Sequence, residues 1–155
     1  MTYKNNEGYS DPTAGAAMSN MMKEYRQERK AQWQTEHDAK TRKRVYVASR
    51  YAGDIEQNTA NAIRYCQYAI QRGYMPVASH LLYPAMLDDN DPHQRTLGTM
   101  FGLALLNLCH EVWVFGEQLS PGMEREVVEA KRLKKPIRYF DSNLKEVPKW
   151  HFLKN

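Results

Sequence analysis

The sequence predicts an α/β domain built on a small open parallel sheet of about four to five strands. Helices flank it in three layers, Rossmann-like or flavodoxin-like, and an extra helix precedes it. Two observations carry this reading. Short β-branched and aromatic runs alternate with longer segments of helical apolar spacing, the alternation that gives parallel strands with helices on both faces. The chain has 155 residues, 42% hydrophobic and 26% charged, which suits one soluble core.

Each element follows in order. Residues 1–10 are polar and read as a disordered start. Asp11-Pro12-Thr13 is a helix-start signal, because Asp can cap and Pro at the first helical position loses no needed bond. A helix is expected from about Pro12 to about Glu36, with Ala14, Ala17, Met18, Met21, Met22, Tyr25 and Trp33 as an apolar stripe suited to docking on its own domain or a second subunit. Arg44–Ser49 reads as a central strand entering a loop at Gly53. Asp54 opens a helix with Gln57 as its capping-box partner, and Gly73 ends it. Met75–Ser79 is the second strand, with Pro76 near its start. The stretch from His80 to Pro92 is turn-rich and is expected to be a loop with a short helical piece, able to act as a lid. His93–Leu108 is a third helix and Glu111–Gly116 a third strand. Ser120-Pro121 caps a fourth helix reaching Lys134, and Pro136–Phe140 is a fourth strand. The chain thus divides into a helical extension (1–43), the α/β domain (44–140) and a tail (141–155). The tail's Trp150 and Phe152 are expected to pack on a neighbour or on the first helix.

Charge and cysteine usage exclude several classes. The net charge of +4 is concentrated in residues 1–44, with nine basic and six acidic residues, whereas residues 45–155 hold thirteen and twelve. A nearly neutral folded part with no basic stripe does not suit a nucleic-acid partner. No apolar stretch approaches the roughly 20 residues of a membrane span, and the start lacks a secretory apolar segment, so a cytoplasmic protein with no membrane partner is expected. Cys66 and Cys109 lie far apart with no metal or disulfide spacing and are expected to be reduced packing residues. Neither a metal nor a cofactor is expected.

In an open parallel sheet, ligands bind beyond the C-terminal strand ends. Three segments converge there: Ser49-Arg50-Tyr51-Ala52-Gly53-Asp54, Ser79-His80, and Gly116 to Glu126, which includes Ser120, Gly122 and Met123. Arg50 offers a positive fork for phosphate or carboxylate, and Gly53 lets backbone approach closely. Neither the GxGxxG nor the GxxxxGK[ST] phosphate motif is present. Glu126 is the sharpest catalytic candidate, because Gly122 one turn earlier leaves open space over its carboxylate. A single hollow holding both Glu126 and Arg50 is expected.

The segments Val45–Asp54, Trp113–Gly116 and Ser120–Glu126 resemble the nucleoside 2-deoxyribosyltransferase-like superfamily over about residues 44–140. Within it they are most similar to a small branch frequent in phages and prophages of Gram-positive bacteria. Gly8–Ala14 resembles the start of other phage-encoded proteins. The resemblance implies that Gly122 to Glu126 matches the Gly-x-x-x-Glu segment supplying the nucleophile, and that Ser49, Arg50 and Gly53 contact phosphate. It also implies acidic residues at two places where this chain has Gly102 and His110. His80, Arg95 or Asp91 are candidates to compensate.

Three functions follow as expectations. The first is an enzyme of the hydrolase or transferase class that cleaves or exchanges the base of a nucleoside or nucleotide through Glu126. The second is a non-catalytic protein that senses or sequesters a nucleotide, motivated by the missing acids. The third is an interaction module that forms homo-oligomers through the first helix and the Trp150 tail.

Overall fold

The computed structural model describes Lys4 and residues 6–153. The expectation of a disordered start therefore falls partly outside the described residues. The chain comprises two compact units, residues 1–41 and 42–155.

The first unit is dominated by α1 (Pro12–Thr41), which runs five residues beyond its expected end. Asp11 starts it as the sequence predicts, its Oδ1 accepting from the backbone N–H of Thr13 and Ala14 at 3.0 and 2.9 Å. Nothing between Glu36 and Thr41 breaks a helix. His37, Asp38, Ala39 and Lys40 all continue it, and the Thr41 hydroxyl bonds back to the His37 carbonyl at 2.8 Å.

The second unit is a five-stranded sheet: β1 (Arg44–Ala48), β2 (Met75–Val77), β3 (Glu111–Phe115), β4 (Ile137–Phe140) and β5 (Glu146–Val147), in the order β2-β1-β3-β4-β5. The first four are parallel, and β5 lies antiparallel on β4. The segment expected as a tail holds β5 and the 3-10 turn Lys149–Leu153. Phe152 is buried against Tyr139, ring centroids 5.5 Å apart, so the tail closes this unit's own core; Trp150 stays exposed. Strands β1 to β3 end one or two residues before their expected limits, and β4 starts one residue after its own.

Three helices complete the unit: α2 (Ile55–Gln71), α3 (Pro92–Leu108) and α4 (Pro121–Arg132). Asp54, Asp91 and Ser120 cap them through side-chain oxygens that accept from the backbone N–H of Gln57, His93 and Met123. The capping box at α2 is only half formed, because the Gln57 amide donates to Asn61 Oδ1 instead of reaching back. Between β2 and α3, Ser79–Leu81 and Tyr83–Ala85 are 3-10 turns.

Strand periodicity divides the core in two. Tyr46, Ala48, Val112, Val114 and Tyr139 face one side, with Leu106 from α3 and Met123, Val127 and Ala130 from α4. Val45, Val47, Trp113, Phe115 and Phe140 face the other, with Tyr65 and Ala69 from α2. An aromatic stack holds the second side: Phe115 lies 4.5 Å from Tyr65 and 4.8 Å from Phe140 between ring centroids. Cys109 is buried and Cys66 half-buried, and burial raises both thiols to about 11, so they pack as neutral groups. No helix among the described residues is long and apolar enough to cross a membrane.

Phe140→Ala would remove one end of this stack. Chemical denaturation is expected to show a loss of about 3–5 kcal/mol; a loss below about 1 kcal/mol would contradict the packing described.

Candidate functional site

The order β2-β1-β3 makes the junction of β1 and β3 the point where strand progression reverses, and the loops leaving these two strands open a crevice there. Two hollows occupy this edge, one beside each group of helices. The first, about 180 Å³, lies among Tyr51, Ser79, His80, Gly102, Gly122 and Glu126, with Tyr83, Pro84, Leu87 and Asp89 of the β2–α3 connection forming a wall. The second, about 200 Å³, lies by α2 among Ser49, Arg50, Asn58, Asn61, Gly116 and Ser142.

Glu126 and Arg50 therefore do not share one hollow, contrary to expectation. The strand alternation that turns Val45 and Val47 toward α2 ends with β1 at Ala48, and in the exit loop Arg50 lies on the same side of the sheet as Ser49. Arg50 leaves β1 toward the α2 side, whereas Glu126 comes from α4 on the opposite side of the sheet. A hydrogen bond of 3.1 Å joins Ser49 Oγ, of the second hollow, to His80 Nε2, of the first. Of the other sequence-selected residues, Tyr51, Ser79, His80 and Gly122 accompany Glu126, and Ser49 and Gly116 accompany Arg50. Gly53, at φ +102°, lines neither hollow, and Asp54 and Ser120 are spent as helix caps. Met123 is 1% exposed and belongs to the core, so it is withdrawn as a ligand contact.

The centre of the first hollow is a chain of three side chains. The Tyr46 hydroxyl donates to Glu126 Oε1 at 2.7 Å and lies 2.7 Å from Ser79 Oγ. Tyr46 has a single hydroxyl hydrogen, so when it serves an ionised Glu126, Ser79 must be the donor to Tyr46. Sequence reasoning missed Tyr46. Its alternation with Val45 and Val47 marked its side chain for the face opposite theirs, but nothing in the spacing paired it with a helix 80 residues away.

Gly102 explains how the chain fits. A Cβ there would lie 3.1 Å from Ser79 Oγ and 3.4 Å from the Tyr46 hydroxyl. The missing side chain is what lets the two hydroxyls meet. His110 sits at the start of β3, at the opposite edge of the sheet; its Nδ1 accepts from the Arg44 backbone N–H at 3.0 Å and its own N–H donates to the Arg44 carbonyl. It ties the starts of β1 and β3 together. Asp91 is used as the α3 cap, while Arg95 reaches the hollow.

Electrostatics sharpen the picture. Burial raises the Glu126 carboxyl to about 7, against the opposing pull of the Tyr46 hydrogen bond and the Arg125 charge. Burial also lowers His80 to about 4, so its ring is neutral at pH 7. The Tyr46 hydroxyl is pushed well up, chiefly by burial and then by Glu126, and it stays protonated. Near neutrality the hollow thus holds a carboxylate that exchanges its proton beside a fixed hydroxyl donor. Among the described residues, no group of three or more His, Cys, Asp or Glu side chains is placed to hold a metal ion.

A raised carboxyl pKa has a definite sign for stability. The folded state binds the Glu126 proton more tightly than the unfolded chain, so the contribution is fully present below about pH 4.5 and is lost as pH rises through about 7. Glu126→Gln removes the buried charge and keeps an acceptor for Tyr46. At pH 8.5 the variant is expected to be more stable than the parent by on the order of 1–3 kcal/mol, and the gap is expected to close by pH 5. Equal differences at both pH values would show that Glu126 titrates as a solvated side chain.

Comparison with curated proteins finds no match. Among solved structures, the fold is similar to that of a 2-deoxyribosyltransferase from the psychrotolerant bacterium Bacillus psychrosaccharolyticus. The TM-score is 0.54 at 15% identity, over 63% of this chain and 72% of that one. The likeness extends to the fold. A family model described as a domain of unknown function matches residues 43–140. The chain belongs to that family, DUF7768.

Proposed function

We propose that this protein binds a nucleoside or nucleotide in the first hollow and breaks its N-glycosidic bond, with Glu126 as the nucleophile. One observation carries the reading. The Glu126 carboxylate faces an open hollow, is held by a buried tyrosine hydroxyl, and titrates near neutrality. The similarity in fold to a 2-deoxyribosyltransferase supports the choice of substrate class.

The step would run as follows. A Glu126 carboxylate oxygen attacks the anomeric carbon as the bond to the base nitrogen breaks, through an oxocarbenium-like transition state. The bond pair leaves with the base, which takes a proton from water. The glycosyl ester on Glu126 is then opened by water, giving hydrolysis, or by a second base, giving exchange. Tyr46 is a positioning residue here, because its hydroxyl fixes one carboxylate oxygen and leaves the other for attack. Tyr51 and Tyr83 offer aromatic faces for a base.

Gly102 favours a second reading, that of a nucleotide-binding protein without turnover. It contributes no carboxylate to the hollow, so sugar and base are gripped by fewer ionised groups. Its mark is tight binding with no base release. A homo-oligomer, a cytoplasmic setting and a phage origin belong to the same proposal.

Incubating the full chain with a panel of nucleosides and 5′-monophosphates, followed by chromatography, tests the enzyme reading. Base release is expected to rise with pH through about 7, as Glu126 ionises. It is expected to fall at least about a hundredfold in Glu126→Gln and about tenfold in Tyr46→Phe. Release that persists in Glu126→Gln would remove Glu126 as nucleophile, and binding with no release would leave the second reading.

A further inference from the structure

The separation of Arg50 from Glu126 leaves open how the hollow would bind an anionic group. Two arginines, Arg95 and Arg125, line that same hollow from different helices. Arg95 stands in the first turns of α3, and its Nε donates to the Asp89 carbonyl at 2.8 Å. That bond fixes the plane of the guanidinium and leaves its terminal nitrogens for a ligand. The turn carrying it is itself held, because Asp91 caps α3 and accepts from the Gln94 side chain at 3.1 Å. Arg125, beside Glu126 on α4, is exposed at the rim and makes no hydrogen bond or ion pair among the described residues.

We propose that the Glu126 hollow takes a phosphorylated nucleoside, with the phosphate held between Arg95 and Arg125 at the rim. Arg50 takes no part in holding it. This rests on the reading of the hollow as a nucleoside site and narrows its substrate class.

The charge in the hollow agrees with an anionic ligand. Arg95 and Arg125 contribute two positive charges and Asp89 one negative; Glu126 is partly ionised at neutral pH and His80 is uncharged. Near pH 7 the lining is therefore net positive, although Glu126 itself is an acid. A phosphate at the rim would also draw the Arg125 charge outward. Two planar guanidinium forks on separate helices suit the tetrahedral oxygens of a phosphate monoester, each making charge-assisted bonds. Arg50 sits beyond the Ser49–His80 hydrogen bond, in the other hollow.

Calorimetry on the full chain with the four 2′-deoxynucleosides and their 5′-monophosphates tests the assignment. At low salt, at least one monophosphate is expected to bind about ten- to a hundredfold tighter than its nucleoside, with the preference shrinking at 0.5 M salt. The double variant Arg95→Gln, Arg125→Gln is expected to lose that preference and keep its affinity for the nucleoside, which also certifies its fold. Arg50→Gln is expected to keep the preference. Equal binding of nucleoside and monophosphate, or loss of the preference in Arg50→Gln alone, overturns this proposal and leaves the nucleoside reading intact. Binding of neither class overturns both.

Discussion

The hydrogen bond from the Tyr46 hydroxyl to Glu126 joins β1 to α4, and the candidate site depends on it. A carboxylate at that depth loses most of its hydration, and only a donor supplied by the protein makes the charged form accessible near neutral pH. Tyr46 can supply that donor because the rest of its ring is buried in the core, which fixes the hydroxyl. Packing and site chemistry meet in one residue. The same hydroxyl lies within hydrogen-bonding distance of Ser79, which ties the β2–α3 connection, and with it the wall of the hollow, to the same point.

Gly102 is the steric condition for that arrangement. A side chain there would push on Ser79 and Tyr46 together, so the absence of an acid at position 102 also makes room for two hydroxyls. This part of the hollow is therefore a neutral hydrogen-bonding chain. Glu126 then needs no neighbouring carboxylate to raise its pKa, since burial alone acts in that direction.

The separation of the two hollows follows from the sheet. Side chains of successive strand residues point to opposite faces, and α2 covers one face while α3 and α4 cover the other. Past the end of the strand that alternation no longer holds: Ser49 and Arg50 both line the hollow on the α2 side, and Tyr51 lines the other. Spacing along the chain indicates that such residues reach the same edge of the sheet, and it carries no record of which face they turn toward.

The alternation of strand and helix signals determined the α/β class, the caps at Asp11, Asp54 and Ser120, and the placement of Glu126 with Gly122 on the fourth helix, because each is a local matter of backbone geometry. The length of α1 was less legible, since five ordinary helix formers after Glu36 look the same in a helix as in a linker. β5 was not legible either, because a two-residue strand has no period to read. Only the tertiary structure decided that Met123 belongs to the core, that Phe152 closes it, and that Arg50 and Glu126 stand apart. It alone brought Tyr46 to Glu126, because a contact spanning 80 residues is fixed by how sheet and helix pack and leaves no pattern in either segment alone.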